Sequence, residues 1–102
     1  MYRGTSPTIV INVTGENFST AAEVFVTLEQ NNHQITKALS DLTIIPDGDD
    51  SQIELFLTQK ETLSFRKGTG LLQIRWKDTS DIAYASPMAR IDIDPILLEG
   101  VI

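Results

Sequence analysis

The chain has 102 residues, a formal net charge of −6 and no cysteine. That length supports one hydrophobic core, the negative balance opposes phosphate backbones, and the missing thiols exclude disulfides, thiolate metal sites and cysteine nucleophiles. No apolar run approaches the roughly 18 residues of a membrane span, and Met1-Tyr2-Arg3-Gly4 is too polar for a signal-peptide core, so the expectation is one domain over residues 1–102, made in a cytoplasm, with neither nucleic acid nor membrane as partner.

Pro7 biases the residue before it toward an extended shape. Thr8 to Thr14 then alternates, with Ile9, Ile11 and Val13 on one face and Val10 and Asn12 on the other. Thr14-Gly15-Glu16-Asn17 is turn chemistry. Asn12-Val13-Thr14 and Asn17-Phe18-Ser19 have the form of glycosylation sequons, but so short a motif arises often by chance and needs a secretory route. Glu23 to Gln30 alternates again, Val24, Val26 and Leu28 against Phe25, Thr27 and Glu29. Asn31-Asn32 follows where a type I′ hairpin demands positive φ, which asparagine tolerates, and His33 to Leu39 is the return strand. Leu42 to Ile45 predicts a further strand before the polar tip Asp47-Gly48-Asp49-Asp50.

The chain is organised around the next stretch. Ile53, Leu55 and Leu57 share one face of a strand, and Thr58-Gln59-Lys60-Glu61 has the hydroxyl-x-x-Glu spacing with which two side chains satisfy the free amides of a helical turn. A short helical corner is predicted over Thr58 to Ser64, broken by Lys67-Gly68-Thr69-Gly70. Leu72, Ile74 and Trp76 then form a second inward set opposed by Gln73, Arg75 and Lys77, which assigns Trp76 to the core. Asp78-Thr79-Ser80-Asp81 closes a hairpin, Ile82 to Ser86 returns, and Met88 to Asp94 sets Ala89, Ile91 and Ile93 against Arg90, Asp92 and Asp94. Pro95 ends that strand and leaves an apolar tail, Ile96 to Ile102. Seven or eight short strands with turn signals every 8 to 12 residues predict an all-β fold, an immunoglobulin-like antiparallel β-sandwich with one short helical corner. A small barrel is the structural alternative.

Chemistry is sparse. His33 is the sole histidine, so one chain cannot assemble a histidine triad or a multi-histidine metal site, and beside a hairpin it reads as a solvated turn residue. Asp47, Asp49 and Asp50 resemble the start of a calcium loop, but Thr58 stands where the twelfth-position glutamate belongs, which favours a solvated tip. Asp92 and Asp94 share a face as paired catalytic carboxylates do, yet nothing implies the cleft that acid–base work needs; an outer sheet face explains them. No catalytic, metal-ligating or cofactor-binding residue is assigned. The least bland feature is a set of outward-parity apolar residues on separate strands, Val10, Phe25, Phe56 and Leu71. Merged, they make a patch of the kind that marks a protein contact; that face, or the tail Ile96 to Ile102, is expected to pack on another subunit.

Met1-Tyr2-Arg3-Gly4-Thr5-Ser6-Pro7-Thr8, Leu57-Thr58-Gln59-Lys60-Glu61-Thr62-Leu63-Ser64-Phe65, Gln73-Ile74-Arg75 and Ala85-Ser86 resemble, in that order along the chain, a group of small phage and prophage structural proteins of Gram-positive bacteria. More loosely, the chain is similar to the immunoglobulin-like N-terminal module of phage baseplate upper proteins. The resemblance implies a non-enzymatic virion structural or assembly protein without cofactor, localised in the virion and contacting other virion proteins or itself. Asn31-Asn32 replaces the Asn-Gly frequent at the hairpin of that group, and Asp78-Thr79-Ser80-Asp81 replaces a glycine pair. A second reading is a carbohydrate- or surface-binding sandwich module, for which Tyr2, Trp76 and Tyr84 are the only tyrosines and tryptophan. A small enzyme ranks third, because no nucleophile–base pair can be drawn.

Overall fold

The computed structural model describes residues 1–102 and turns the alternating runs into eight strands. They are β1 (Thr8–Val13), β2 (Glu23–Gln30), β3 (His33–Ala38), β4 (Leu42–Asp47), β5 (Asp50–Phe56), β6 (Gly68–Lys77), β7 (Ala83–Ala85) and β8 (Ala89–Ile93), with one helix, α1 (Gln59–Leu63), and 3-10 turns at Phe18–Thr20 and Leu39–Asp41. One antiparallel sheet has the order β1-β5-β4; the other runs β3-β2-β6, with β7 and β8 sharing the far edge of β6. The hairpin β2-β3 belongs to one sheet and the hairpin β4-β5 to the other, while the connections β1-β2, β3-β4 and β5-β6 cross between them. This is an immunoglobulin-like sandwich.

Period-two alternation builds the core. Val24, Val26 and Leu28 of β2, Leu72 and Ile74 of β6 and Ile93 of β8 meet Ile53, Leu55 and Leu57 from the β5 side, all buried. Two further buried residues, Phe18 and Phe65, come from connections rather than strands. Trp76 keeps its inward parity but is only half-buried, because it stands near the end of β6 against the Phe18 turn and the edge residue Tyr84.

Turn chemistry matches turn geometry. Asn31 and Asn32 have φ of 49° and 68°, the two positive values of a type I′ hairpin. Gly48, the first residue of the two-residue β4-β5 loop, has φ 60°, where a type II′ turn places glycine. The far edge of β6 is interrupted: Arg75 opposes Ala85 but Leu72 opposes Ala89, so the edge takes one residue more than β6 over the same span. Such a β-bulge lies at Ser86-Pro87-Met88, and Ser86 knits it to β6 by accepting the Ile74 N–H on its hydroxyl at 3.0 Å and donating its own N–H to the Ile74 carbonyl at 2.9 Å.

The helical corner forms for the reason its spacing gives. Thr58 Oγ1 accepts the Glu61 N–H at 3.2 Å and Glu61 Oε1 accepts the Thr58 N–H at 3.0 Å, a reciprocal capping box. Thr58→Ala is therefore expected to cost about 0.5–2 kcal/mol, read from the shift of the urea midpoint at constant slope. The second Glu61 oxygen takes the Lys37 ammonium at 2.7 Å, pinning the corner to β3. Burial alone raises the Glu61 pKa, but the Lys37 contact and the Thr58 amide outweigh it and hold the carboxyl below its ordinary 4.5. A depressed folded-state value means that this stabilisation is complete above pH 4.5 and is lost as pH falls through the lower folded-state value. Glu61→Gln is accordingly expected to lower the Tm at pH 7 and to lose that deficit progressively in acid; a deficit constant with pH would remove the ionic contribution.

Both ends of the chain close over this corner. Tyr2 bridges to Asp94 in parallel sense. The Arg3 guanidinium donates from Nε to the Phe65 carbonyl and from Nη2 to the Leu63 carbonyl at 3.1 Å, and its Nη1 pairs with Glu99 at 2.6 Å. Ile96 and Leu63 both close on Gly4, and the Gln59 side-chain amide exchanges two hydrogen bonds with the Ile102 backbone.

Candidate functional site

Val10, Phe25, Phe56 and Leu71 all point out of the sandwich, but they do not form one patch. Val10 and Phe56 lie on the outer face of the β1-β5-β4 sheet; Phe25 and Leu71 lie on the outer face of the opposite sheet. A merged four-residue surface is thus corrected to two separate faces, since parity tells which way a side chain points within its sheet but not which sheet it joins.

The two faces differ. On the β2-β6 side Phe25 opposes Arg75 and Leu71 opposes Glu29, with the pair Thr27 and Gln73 between them; Thr27 and Thr36 share a hydroxyl hydrogen bond at 2.9 Å. Phe25 and Leu71 are half-buried within this polar field. On the other side Phe56, opposite Thr8, is 52% exposed and Val10, diagonal to it, 48% exposed. Ile45, on the same face of β4, adds a third exposed apolar side chain. Ile45 belongs to a run in which Leu42 and Ile44 are its inward neighbours; the alternation in Leu42-Thr43-Ile44-Ile45 carries the signal that turns it outward.

A second feature is an aromatic cleft of about 210 Å³ at the end of the sandwich where β6 finishes, lined by Phe18, Trp76 and Tyr84 with Glu16, Asn17 and Asp78. The Trp76 ring meets Phe18 edge-on at 5.1 Å and stacks on Tyr84 at 5.6 Å. Tyr84 sits directly opposite Trp76 in the sheet, and its hydroxyl donates to Asp78 at 3.3 Å. Local desolvation, then the charge of Asp78, lifts the phenol above its ordinary value.

Two groups of acidic side chains lie at this same end. Asp47, Asp49 and Asp50 surround the β4-β5 turn, Asp50 accepting the Gly15 N–H at 2.8 Å. Glu23, Asp78 and Asp81 cluster around Lys77, which pairs with Glu23 at 3.6 Å and Asp81 at 3.0 Å. Asn17 is committed locally as well, its Oδ1 capping Ser19 N and its amide donating to the Gly48 carbonyl. The Asp92 and Asp94 pair lies at the other end, where Asp94 takes the Met1 ammonium at 3.4 Å. His33 is exposed beside its hairpin, 2.7 Å from the Ser64 hydroxyl and packed on Phe65 at 5.0 Å between ring centres.

No family model, characterised protein or solved structure matches the chain.

Proposed function

We propose that this chain is a non-enzymatic structural or assembly protein of a phage or prophage virion that works through protein–protein contacts. The observation that carries the reading is the outer face of the β1-β5-β4 sheet, where Phe56, Val10 and Ile45 are exposed around Glu54. Exposed apolar side chains gathered on one sheet are the signature of a contact surface. The resemblance of Met1–Thr8 and Leu57–Phe65 to small phage and prophage structural proteins is what supports the virion setting. The combined variant Val10→Ser, Phe56→Ser is expected to keep its stability within about 0.5 kcal/mol, as surface changes do, while losing incorporation into particles produced from a prophage that carries the gene. Wild-type chain absent from purified particles, or full incorporation of the variant, would overturn the reading.

The aromatic cleft favours a second reading, sugar binding, on one observation: Tyr84 is 42% exposed beside Asp78 and Asn17. Trp76 is largely taken up by Phe18 and Tyr84, leaving a single small platform. Titration with neutral oligosaccharides that leaves the tryptophan fluorescence unchanged disposes of it.

A further inference from the structure

A two-sheet sandwich has four edges, and an edge strand with free amides and carbonyls is a template for another strand unless something blunts it. Three edges here are blunted. On β4, Thr43, Ile45 and Asp47 pair with Glu54, Gln52 and Asp50; the two-residue hairpin loop makes those the hydrogen-bonded pairs, so Pro46 stands in the outward phase, where it removes a donor. On β3, Lys37 opposes the buried Val26 and so points inward, to Glu61. On the β7-β8 edge the bulge and Pro87 interrupt the ladder.

The free edge of β1 has none of these devices. Thr8-Ile9-Val10-Ile11-Asn12-Val13 contains no charge, proline or glycine in a chain of net charge −6. Its phase follows from one bond: Leu57 N donates to the Pro7 carbonyl, the residue opposite it. Hydrogen-bonded pairs alternate along an antiparallel ladder, so Ile9, Ile11 and Val13 spend their backbone groups on β5, and Thr8, Val10 and Asn12 aim theirs away from it. Ile9, Ile11 and Val13 are also only half-buried, whereas their β5 partners Leu55, Ile53 and Ser51 are fully buried.

We propose that β1 pairs with β1 of a second copy of this chain, antiparallel and centred on Val10, to make a continuous sheet in the order β4-β5-β1-β1-β5-β4. The proposal rests on the reading of this sheet as a contact surface and names the partner that its edge fits. The outward phase of Thr8, Val10 and Asn12 selects the register, since those residues must become the hydrogen-bonded pairs: Val10 faces Val10 of the second copy, and Thr8 faces Asn12. Ile9 then faces Ile11 on the inner side, apolar on apolar. No charged residue lies on either strand, and the nearest outer-face charge, Glu54, would stand three strand spacings, about 14 Å, from its counterpart, beyond the screening length of about 8 Å at physiological salt. A peptide of acidic or basic character gains nothing from so neutral a strip, which is why a second copy is the occupant of choice.

The register makes residue 10 its own neighbour, and that gives the test. Wild-type protein should sediment as a concentration-dependent dimer. Val10→Lys and Val10→Glu should each weaken self-association by at least about tenfold through like charge across the axis, and an equimolar mixture of the two should recover it. Hydrogen exchange on the unaltered chain supplies a second measurement: the amides of Thr8, Val10 and Asn12 should gain protection as concentration rises. A monomer at about 1 mM, dimers that both charged variants leave intact, or amides at 8, 10 and 12 exchanging at one rate at every concentration would each overturn the pairing. Failure here with normal particle incorporation would leave the virion reading standing, and dimers without incorporation would leave only the pairing.

Discussion

Phe65→Ala is expected to destabilise the domain by about 3–5 kcal/mol, the range for a buried phenylalanine. Phe65 is the largest fully buried side chain, and it enters the core from the connection between α1 and β6. That position makes collapse of the vacated space difficult, because the Arg3 guanidinium holds the Phe65 carbonyl and His33 packs on the ring. Domains of this size are stable by about 5–15 kcal/mol, so the variant gives up a large fraction of its margin. Equilibrium denaturation should show a lower urea midpoint at unchanged slope. Leu55→Ala and Ile74→Ala, from the strand core, are expected to lose about 2–5 kcal/mol each. Losses near zero for that pair would mean that the inward faces are wrongly assigned.

Gly4→Ala should cost about 1–3 kcal/mol for the backbone alone, because a φ of +72° is one that alanine adopts only under strain. A second effect is steric. An added Cβ would stand 2.7 Å from Ile96 Cδ1 and 3.3 Å from Leu63 Cδ2, so the Ile96 side chain has to move. Gly15→Ala is the internal control, since Gly15 has a comparable φ of +84° and a methyl added there would meet nothing within 4 Å. If displacement of Ile96 matters, Gly4→Ala loses more than Gly15→Ala and its tail, residues 97–101, is cut faster by protease. Equal losses and equal cleavage would confine the effect to backbone strain.

What the sequence made legible was local. Val24, Val26 and Leu28, or Ile53, Leu55 and Leu57, are inward because a strand alternates, and no tertiary knowledge is needed to see it. The same holds for Asn31-Asn32 and for the capping box at Thr58 and Glu61, whose conformations are set within four residues. Phe18 and Phe65 escaped because they lie in connections between strands, and Thr62 because a five-residue helix is too short for a period to mark its inner face. Thr62 is buried by a single nonlocal act, donating its hydroxyl to the Thr5 carbonyl at 2.8 Å. Sheet membership is equally nonlocal: Val10 and Phe56 share a face only because β1 pairs with β5, and the bulge at Ser86–Met88 exists only relative to β6. Parity places Trp76 on the correct side and at the wrong depth, since alternation says nothing about where the facing layer stops.

The crowding of carboxylates around the β4-β5 turn and Lys77 makes the molecule electrically lopsided. Copies set side by side with the same heading would push one another apart at that pole, whereas copies joined antiparallel through β1 would carry their acidic turns at opposite ends.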